Sequence, residues 1–406
     1  MQMELSGLSF GQTDLKLMSE KPNLVFLFRS FFKIGLTSFG GHAALVSVLQ
    51  QELVRKEKVV TEDVILDGLS IASLLPGPLA VNVVAYIGYK LRGWFGAMIS
   101  MTSVLLPSTI MMVGIAKLYG IYSDIDAVTR FLSGVIPVII ALILSLCYQM
   151  SVKHMSWGWQ YFLFSIILVA TFFLNSYFWI VIFIVIGGIC GYFLKEADPK
   201  SNRNIGSISR PDRRHLYRGL LLFCIAFVGL NFLLKGINHQ LLFEFSKVSM
   251  TLFGGGYVMI PMLHEIVVDN YQWLSSAEFA NAIAFGQMTP GPILVSATYV
   301  GYVSGGLLGA FFATIGIFAP SAIVMILLGS VFENVKDHPI TTGVIRGIRP
   351  VIIALIVYSG WILFKSLDHK LFSILITLSS FTIITFTKFN YFFLVVIAGG
   401  CAILFF

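Results

Sequence analysis

Lys33 and Lys247 stand 214 positions apart, each inside an apolar stretch and each two helical turns before a pair of glycines. Four residues after each lysine comes a threonine, Thr37 and Thr251, and then the glycines: Gly40 with Gly41, Gly254 with Gly255. A step of 36 residues from Gly40 reaches Pro76-Gly77-Pro78, and the same 36 from Gly254 reaches Pro290-Gly291-Pro292. Asn82 and Ser296 follow at matching positions. Ammonium groups, hydroxyls and the free N–H groups at helix starts are the donors that hold an anion. A lysine at the bilayer centre costs about 2.5–3.5 kcal/mol on insertion scales. Its repetition in one register therefore favours a role in anion binding, with snorkelling to an interface as the alternative. For the threonines the alternative is a helix–helix hydrogen bond. Asp67, a carboxylate in an apolar segment, is a candidate proton carrier, a salt bridge being the other reading. His42, beside the first break, titrates near neutral pH and is a second candidate for proton coupling, set against a packing role.

The elements that must carry these residues are membrane helices. Of the 406 residues, 57% are hydrophobic and 12% charged, where soluble domains run at about 45–50% and about 25%. No Asp, Glu, Lys or Arg occurs in the 54 residues between Glu278 and Glu333, nor in the 41 between Lys153 and Lys195. A crossing needs roughly 20 apolar residues, so each run holds two. This composition excludes a soluble enzyme, a disordered chain and a nucleic-acid module, and solid apolar blocks are unlike the alternating segments of a β-barrel. The first 20 residues, with Glu4, Asp14, Lys16 and Glu20, do not read as a secretory signal. Cys147, Cys190, Cys224 and Cys401 lie in apolar stretches without a CxxC pair, and read as small buried hydrophobes rather than a disulfide or metal set. No nucleotide-binding motif and no cofactor or metal signature is present, so the expectation is a protein that is not an enzyme and needs no cofactor.

The chain is written twice. Lys33-Ile-Gly-Leu-Thr-Ser-Phe-Gly-Gly41 aligns with Lys247-Val-Ser-Met-Thr-Leu-Phe-Gly-Gly255 at an offset of 214. Beyond Pro-Gly-Pro the offset becomes 213: Gly88 pairs with Gly301, Gly96 with Gly309, Pro107 with Pro320, and Gly134-x-x-Pro137 with Gly347-x-x-Pro350. We read residues 1–23 as a cytoplasmic N-terminal segment, 24–194 as the first repeat, 195–218 as a basic cytoplasmic linker, 219–237 as an extra transmembrane helix, and 238–406 as the second repeat. One extra crossing turns the second repeat over relative to the first. The fold class is thus all-α: a polytopic membrane protein of two inverted-topology repeats with broken or re-entrant helices, the architecture of secondary transporters. Irregular backbone at membrane depth survives only inside protein or along a wet cavity, so the four breaks point to a substrate site. Loop charge favours hairpins over crossings for the broken segments: the 50–63 loop carries Arg55, Lys56 and Lys58, while the matching 264–277 loop carries no Lys or Arg.

The doubled pattern resembles the chromate ion transporter family in its long, two-domain form. The second half is the closer match, with Phe253-Gly-Gly-Gly-Tyr257, Ile260-Pro261-Met-Leu263, Gly286-Gln-Met-Thr-Pro-Gly-Pro292, Thr298-Tyr-Val-Gly-Tyr302 and Gly309-Ala310. The first half departs from the pattern, with His42 in place of a proline and Leu79-Ala80-Val81-Asn82 after its Pro-Gly-Pro. The resemblance implies transport of chromate, usually outward, with sulfate as a related substrate, in the plasma membrane. A tetrahedral dianion needs positive charge and several donors, and half-helices starting near Gly41, Pro78, Gly255 and Pro292 would aim four positive dipole ends at it. Coupling to an ion gradient, with protons first, is the expectation. Expected partners are the anion and membrane lipid, not nucleic acid. The exposed crossing faces would allow a homodimer. The alternatives are a carrier of another small solute and a non-transporting assembly subunit.

Overall fold

A computed structural model describes residues 22–39, 41–156, 158–174, 176–194, 233–253, 256–332, 339–367, 370–387 and 391–405, with positions 221, 225, 227, 229, 230 and 389. Residues 1–21, the basic linker 195–218 and nine of the nineteen positions of the extra helix read at 219–237 lie outside the described residues.

In the first repeat α1 (Leu24–Thr37) is followed by α2 (Gly41–Leu49), which continues as a π-helical stretch over Gln50–Lys56. Then come α3 (Glu62–Ala72), α4 (Leu79–Tyr122), α5 (Asp126–His154), α6 (Gly158–Phe173) and α7 (Tyr177–Phe193). The second repeat runs α8 (Ile237–Thr251), then a broken arm whose helical centre is α9 (Met259–His264), then α10 (Ser276–Met288). A 3-10 turn over Ile293–Val295 leads into α11 (Ser296–Phe332), followed by α12 (Pro339–Lys365), α13 (Lys370–Phe386) and α14 (Tyr391–Phe405). Among the described residues four helices, α4, α5, α11 and α12, are long and apolar enough to cross a membrane. At 15 to 17 residues, α6, α7, α13 and α14 are apolar but shorter, about 22–26 Å at the helical rise.

Sequence signals place the ends. Asn23 caps α1 by accepting from the Val25 N–H at 3.4 Å, and Ser275 with Glu278 forms a reciprocal capping box at α10. The buried face of α1, Leu27, Phe31 and Ile34, recurs at helical spacing. It lies along α4, with Gly35 so close to the Val104 backbone that a side chain there would collide with the carbonyl oxygen.

Both proline–glycine segments double back. Gly68 on α3 packs against Tyr86 and Val83 on α4, where an added Cβ would sit 3.0 and 3.5 Å from them. Residues 15 apart in a straight helix would be separated by about 22 Å, so the chain turns round at Pro76–Pro78. After Gly88 it turns again at Arg92–Gly93 (φ −143° and 61°), and the remainder of α4 runs back past it with Gly96 against Gly88. The second repeat does the same, with Phe285 against Tyr299 at 5.5 Å and the turn at Gly305–Gly306 (φ −138° and 63°). Arg92 Nε donates to Pro22 O at 2.8 Å, so α1 starts level with that bend. The two tips, at 38–41 and 73–78, therefore reach the middle of α4 near Pro107.

The repeats enter from opposite faces. Tyr119, near the end of α4, meets Phe285 and Tyr299 on the second hairpin at 5.5 and 6.4 Å and accepts from Asn281 Nδ2 at 2.8 Å. Reciprocally, Tyr86 on the first hairpin lies against Gly329, near the end of α11. Each hairpin base thus sits where the other repeat's long helix ends. The late helices exchange as well. Gly134 on α5 packs on Ala398 and Ala402 of α14, while Gly347 on α12 packs on Gly187 and Gly191 of α7. The chain is an all-α polytopic membrane protein of two inverted repeats.

In a cysteine-free background, Glu57→Cys and Asn270→Cys, both at exposed positions, should react with an impermeant maleimide from opposite faces of the membrane. Reaction from one face would contradict the inversion.

Candidate functional site

Local chemistry ends the helices at the first tip. Thr37 Oγ1 donates back to Lys33 O at 2.9 Å and Ser38 Oγ to Ile34 O at 2.6 Å, which satisfies carbonyls of the last turn. Thr251 repeats this on Lys247 O at 2.8 Å and also meets Tyr177 Oη at 2.9 Å. At Pro76–Pro78 and Pro290–Pro292 the prolines remove N–H donors, and the glycines between them adopt φ of 111° and 107°. Only glycine takes this backbone without strain, and Gly77 also faces Ser321 so closely that no side chain fits.

These two glycines tie the halves together. Gly77 N donates to Leu252 O at 2.6 Å, and Gly291 N donates to Ser38 O at 2.8 Å. Leu252 is the 214-offset mate of Ser38, and Gly291 that of Gly77. Each hairpin tip therefore binds the break in the other repeat's first segment. Ser321 stands beside Gly77, and Ser108, its 213-offset mate, beside Gly291.

One turn beyond each tip lies a buried polar side chain. Asn82 is fully buried; its Nδ2 donates to Pro76 O at 3.0 Å and its Oδ1 has no partner. Ser296 is 1% exposed and its Oγ has no partner. Pro78 caps α4, so the N–H groups of Leu79 to Val81 have no acceptor within that helix. The Gly77 and Gly291 amides are already used across the repeat interface. Gly40, Gly254 and Gly255 lie outside the described residues, as do the side chains at Gly41 and His42. Asp67 is half-buried on α3, nine positions before Pro76 and apart from the tips.

The paired lysines sit at equivalent positions with unequal partners. Lys33 Nζ meets Glu52 Oε2 at 2.9 Å, and Lys56 holds the other oxygen of that carboxylate at 2.6 Å. Lys247 Nζ meets Glu244 Oε2 at 2.5 Å, on its own helix, and lies 5.1 Å from the Phe243 ring. Beside Lys247 opens a cavity of about 390 Å³, lined among others by Tyr177, Glu244, Glu265 and Tyr271. Glu265 accepts from Ser176 Oγ at 3.2 Å and from the Tyr177 N–H, strapping the start of α7 to the second hairpin. The first cluster carries two positive charges and one negative, the second one positive and two negative. Glu52, Glu265 and Tyr177 escape a sequence reading, because their contacts depend on the hairpin and on α7 crossing to the other repeat. Glu244 was readable, three positions before Lys247 on one helix face.

The sequence model of the chromate transporter family matches residues 25–192 and 239–404, both repeats in turn. The chain belongs to the chromate transporter family. It is 29% identical over 374 residues to an uncharacterized transporter of Methanocaldococcus jannaschii, covering 91% of each chain. It is 27% identical to a probable chromate transport protein of Synechococcus elongatus over 78% of this chain and 79% of that one. A chromate transport protein of Cupriavidus metallidurans is 24% identical over 80% of this chain and 79% of its own. No solved structure matches. The family match spans each repeat from its first broken arm to its last helix.

Gly77→Ala and Gly291→Ala should each lower the thermal midpoint of the purified protein, by an amount corresponding to about 1–3 kcal/mol, and should reduce transport. Unchanged melting of both variants would mean that the cross-repeat tips do not need this backbone.

Proposed function

We propose that the protein is a secondary transporter that carries chromate, or a similar tetrahedral oxyanion such as sulfate, outward across the cell membrane, driven by an ion gradient. The observation that carries this reading is that each inverted hairpin tip binds the break in the other repeat's first segment, and that the second tip is followed by Ser296, a buried hydroxyl with no partner. Such groups cost free energy unless something satisfies them. A transporter substrate does so transiently, and it does so between two repeats that present equivalent breaks to opposite faces. The names of the relatives make chromate the first substrate to test.

Direction follows from charge. The basic loops at 50–63 and 90–92 place the base of the first hairpin on the cytoplasmic side by the positive-inside bias. The cluster of net positive charge, Lys33, Lys56 and Glu52, then lies toward the cytoplasm, where it would concentrate a dianion. The cluster of net negative charge, Glu244, Lys247 and Glu265, lies toward the outside and would discourage return. Helix ends at the tips supply dipole without a mobile counter-ion. No covalent bond changes in such a cycle, so the protein acts as a carrier and not as an enzyme.

Proteoliposomes with the purified protein should show saturable uptake of labelled chromate, competed by sulfate and altered by an imposed proton gradient. Lys33→Gln combined with Lys247→Gln should cut that uptake at least tenfold, while Lys33→Arg with Lys247→Arg retains most of it. No saturable uptake of either anion by folded protein would reject the oxyanion reading. Normal uptake by the double glutamine variant would remove the lysines from it.

A further inference from the structure

The second tip holds one more polar group that the repeat pattern does not announce. Gln287 lies just before Pro290-Gly291-Pro292, is 4% exposed, and its Nε2 has no partner. Its Oε1 accepts from Tyr257 Oη at 3.3 Å. In this orientation the phenol proton has its acceptor and both Nε2 protons stay unused; with the carboxamide turned, the phenol would accept from Nε2 and its own proton would lose the acceptor it has here. Both residues are held by their backbones: Ser359 Oγ donates to Tyr257 O at 2.9 Å, and Tyr391 Oη donates to Gln287 O at 3.4 Å.

Ser296 joins them. An added Cβ on Gly286 would fall 3.3 Å from the Ser296 Cβ, so the two arms of the hairpin touch there. Gly256, next to Tyr257, packs on Leu294 of the 3-10 turn just before Ser296. Around this tip the amide of Gly291 is taken by Ser38 O and the prolines have none. Among the described residues, Gln287 Nε2 and Ser296 Oγ are buried side-chain donors of this hairpin left without a partner.

The first tip is built differently. The 214-offset mates of Tyr257, Gln287 and Ser296 are Ala43, Ser73 and Asn82. Ser73 is exposed and donates to Ser70 O at 2.7 Å. Asn82 leaves a carbonyl oxygen unpartnered, which repels an anion.

We propose that Gln287 Nε2 and Ser296 Oγ are the substrate-binding donors of the transporter, that Tyr257 positions Gln287, and that the oxyanion is held by the second tip rather than shared equally by the two. This rests on the oxyanion reading given above. A buried amide with two N–H groups and a hydroxyl offers donors to two oxygens of one tetrahedral anion. The apolar surroundings strengthen each bond.

The test is the KM for labelled sulfate and chromate in proteoliposomes, with thermal melting to show that each variant is folded. Gln287→Ala should raise KM at least tenfold, and Gln287→Glu, nearly isosteric but anionic, should raise it further. Tyr257→Phe should raise KM several-fold in the parent and have no added effect in the Gln287→Ala background, as expected of a residue that acts through Gln287. Ser73→Ala, at the equivalent place in the first repeat, should leave KM unchanged. An unchanged KM in Gln287→Ala, or an independent effect of Tyr257→Phe in that background, would overturn the assignment while leaving the oxyanion reading intact. Absence of saturable uptake by the unmodified protein would overturn both.

Discussion

Two backbone hydrogen bonds, Gly77 N to Leu252 O and Gly291 N to Ser38 O, are the constraint on which the rest of this fold depends. A broken helix in lipid exposes donors and acceptors that no water can satisfy. Each repeat on its own has that defect at its tip and at its first break. Turning one repeat over brings the orphan carbonyl of one against the orphan amide of the other, twice. The positive φ of the two glycines follows, since the amide must be aimed sideways out of the hairpin. So does the crowding by Ser108 and Ser321, whose helices must come close enough to seal the tips.

Symmetry in the backbone leaves room for asymmetry in the side chains. The same lysine is neutralised from the returning arm in one repeat and from its own helix in the other. The resulting clusters carry opposite net charge and lie toward opposite faces. Glu265 straps the second hairpin to the start of α7, whereas the oxygens of Glu52 are held by two lysines. A carrier built of identical halves would be indifferent to direction. In the carrier proposed above, unequal charge at the two ends would bias which face collects the anion.

Much of this was legible in the sequence, for a physical reason. Proline and glycine act on the backbone at their own position, so the breaks at 40–41, 76–78 and their copies could be placed without knowing any neighbour. The repeat, the long crossings and the basic loops are likewise local or periodic signals. What the sequence concealed depends on distant partners. Lys33 finds Glu52 only once the chain has turned round. Thr37 donates to its own helix, while Thr251 donates to its own helix and also meets Tyr177 on α7, the helix–helix contact that stood beside the ligand reading. Gln287 stood inside a quoted motif, but its importance rests on Tyr257 fixing its oxygen and on nothing meeting its nitrogen.

The exchange of late helices, α7 onto α12 and α14 onto α5, has a consequence for how the chain is made. The small faces at Gly187 and Gly191 can be covered only by a helix that emerges from the ribosome about 150 residues later. The first repeat must therefore wait in the membrane, half assembled and open to lipid and chaperones, until the second is inserted. The same geometry fits a pair of single repeats: two inverted copies would each offer the other the partner it lacks, whether or not one chain joins them.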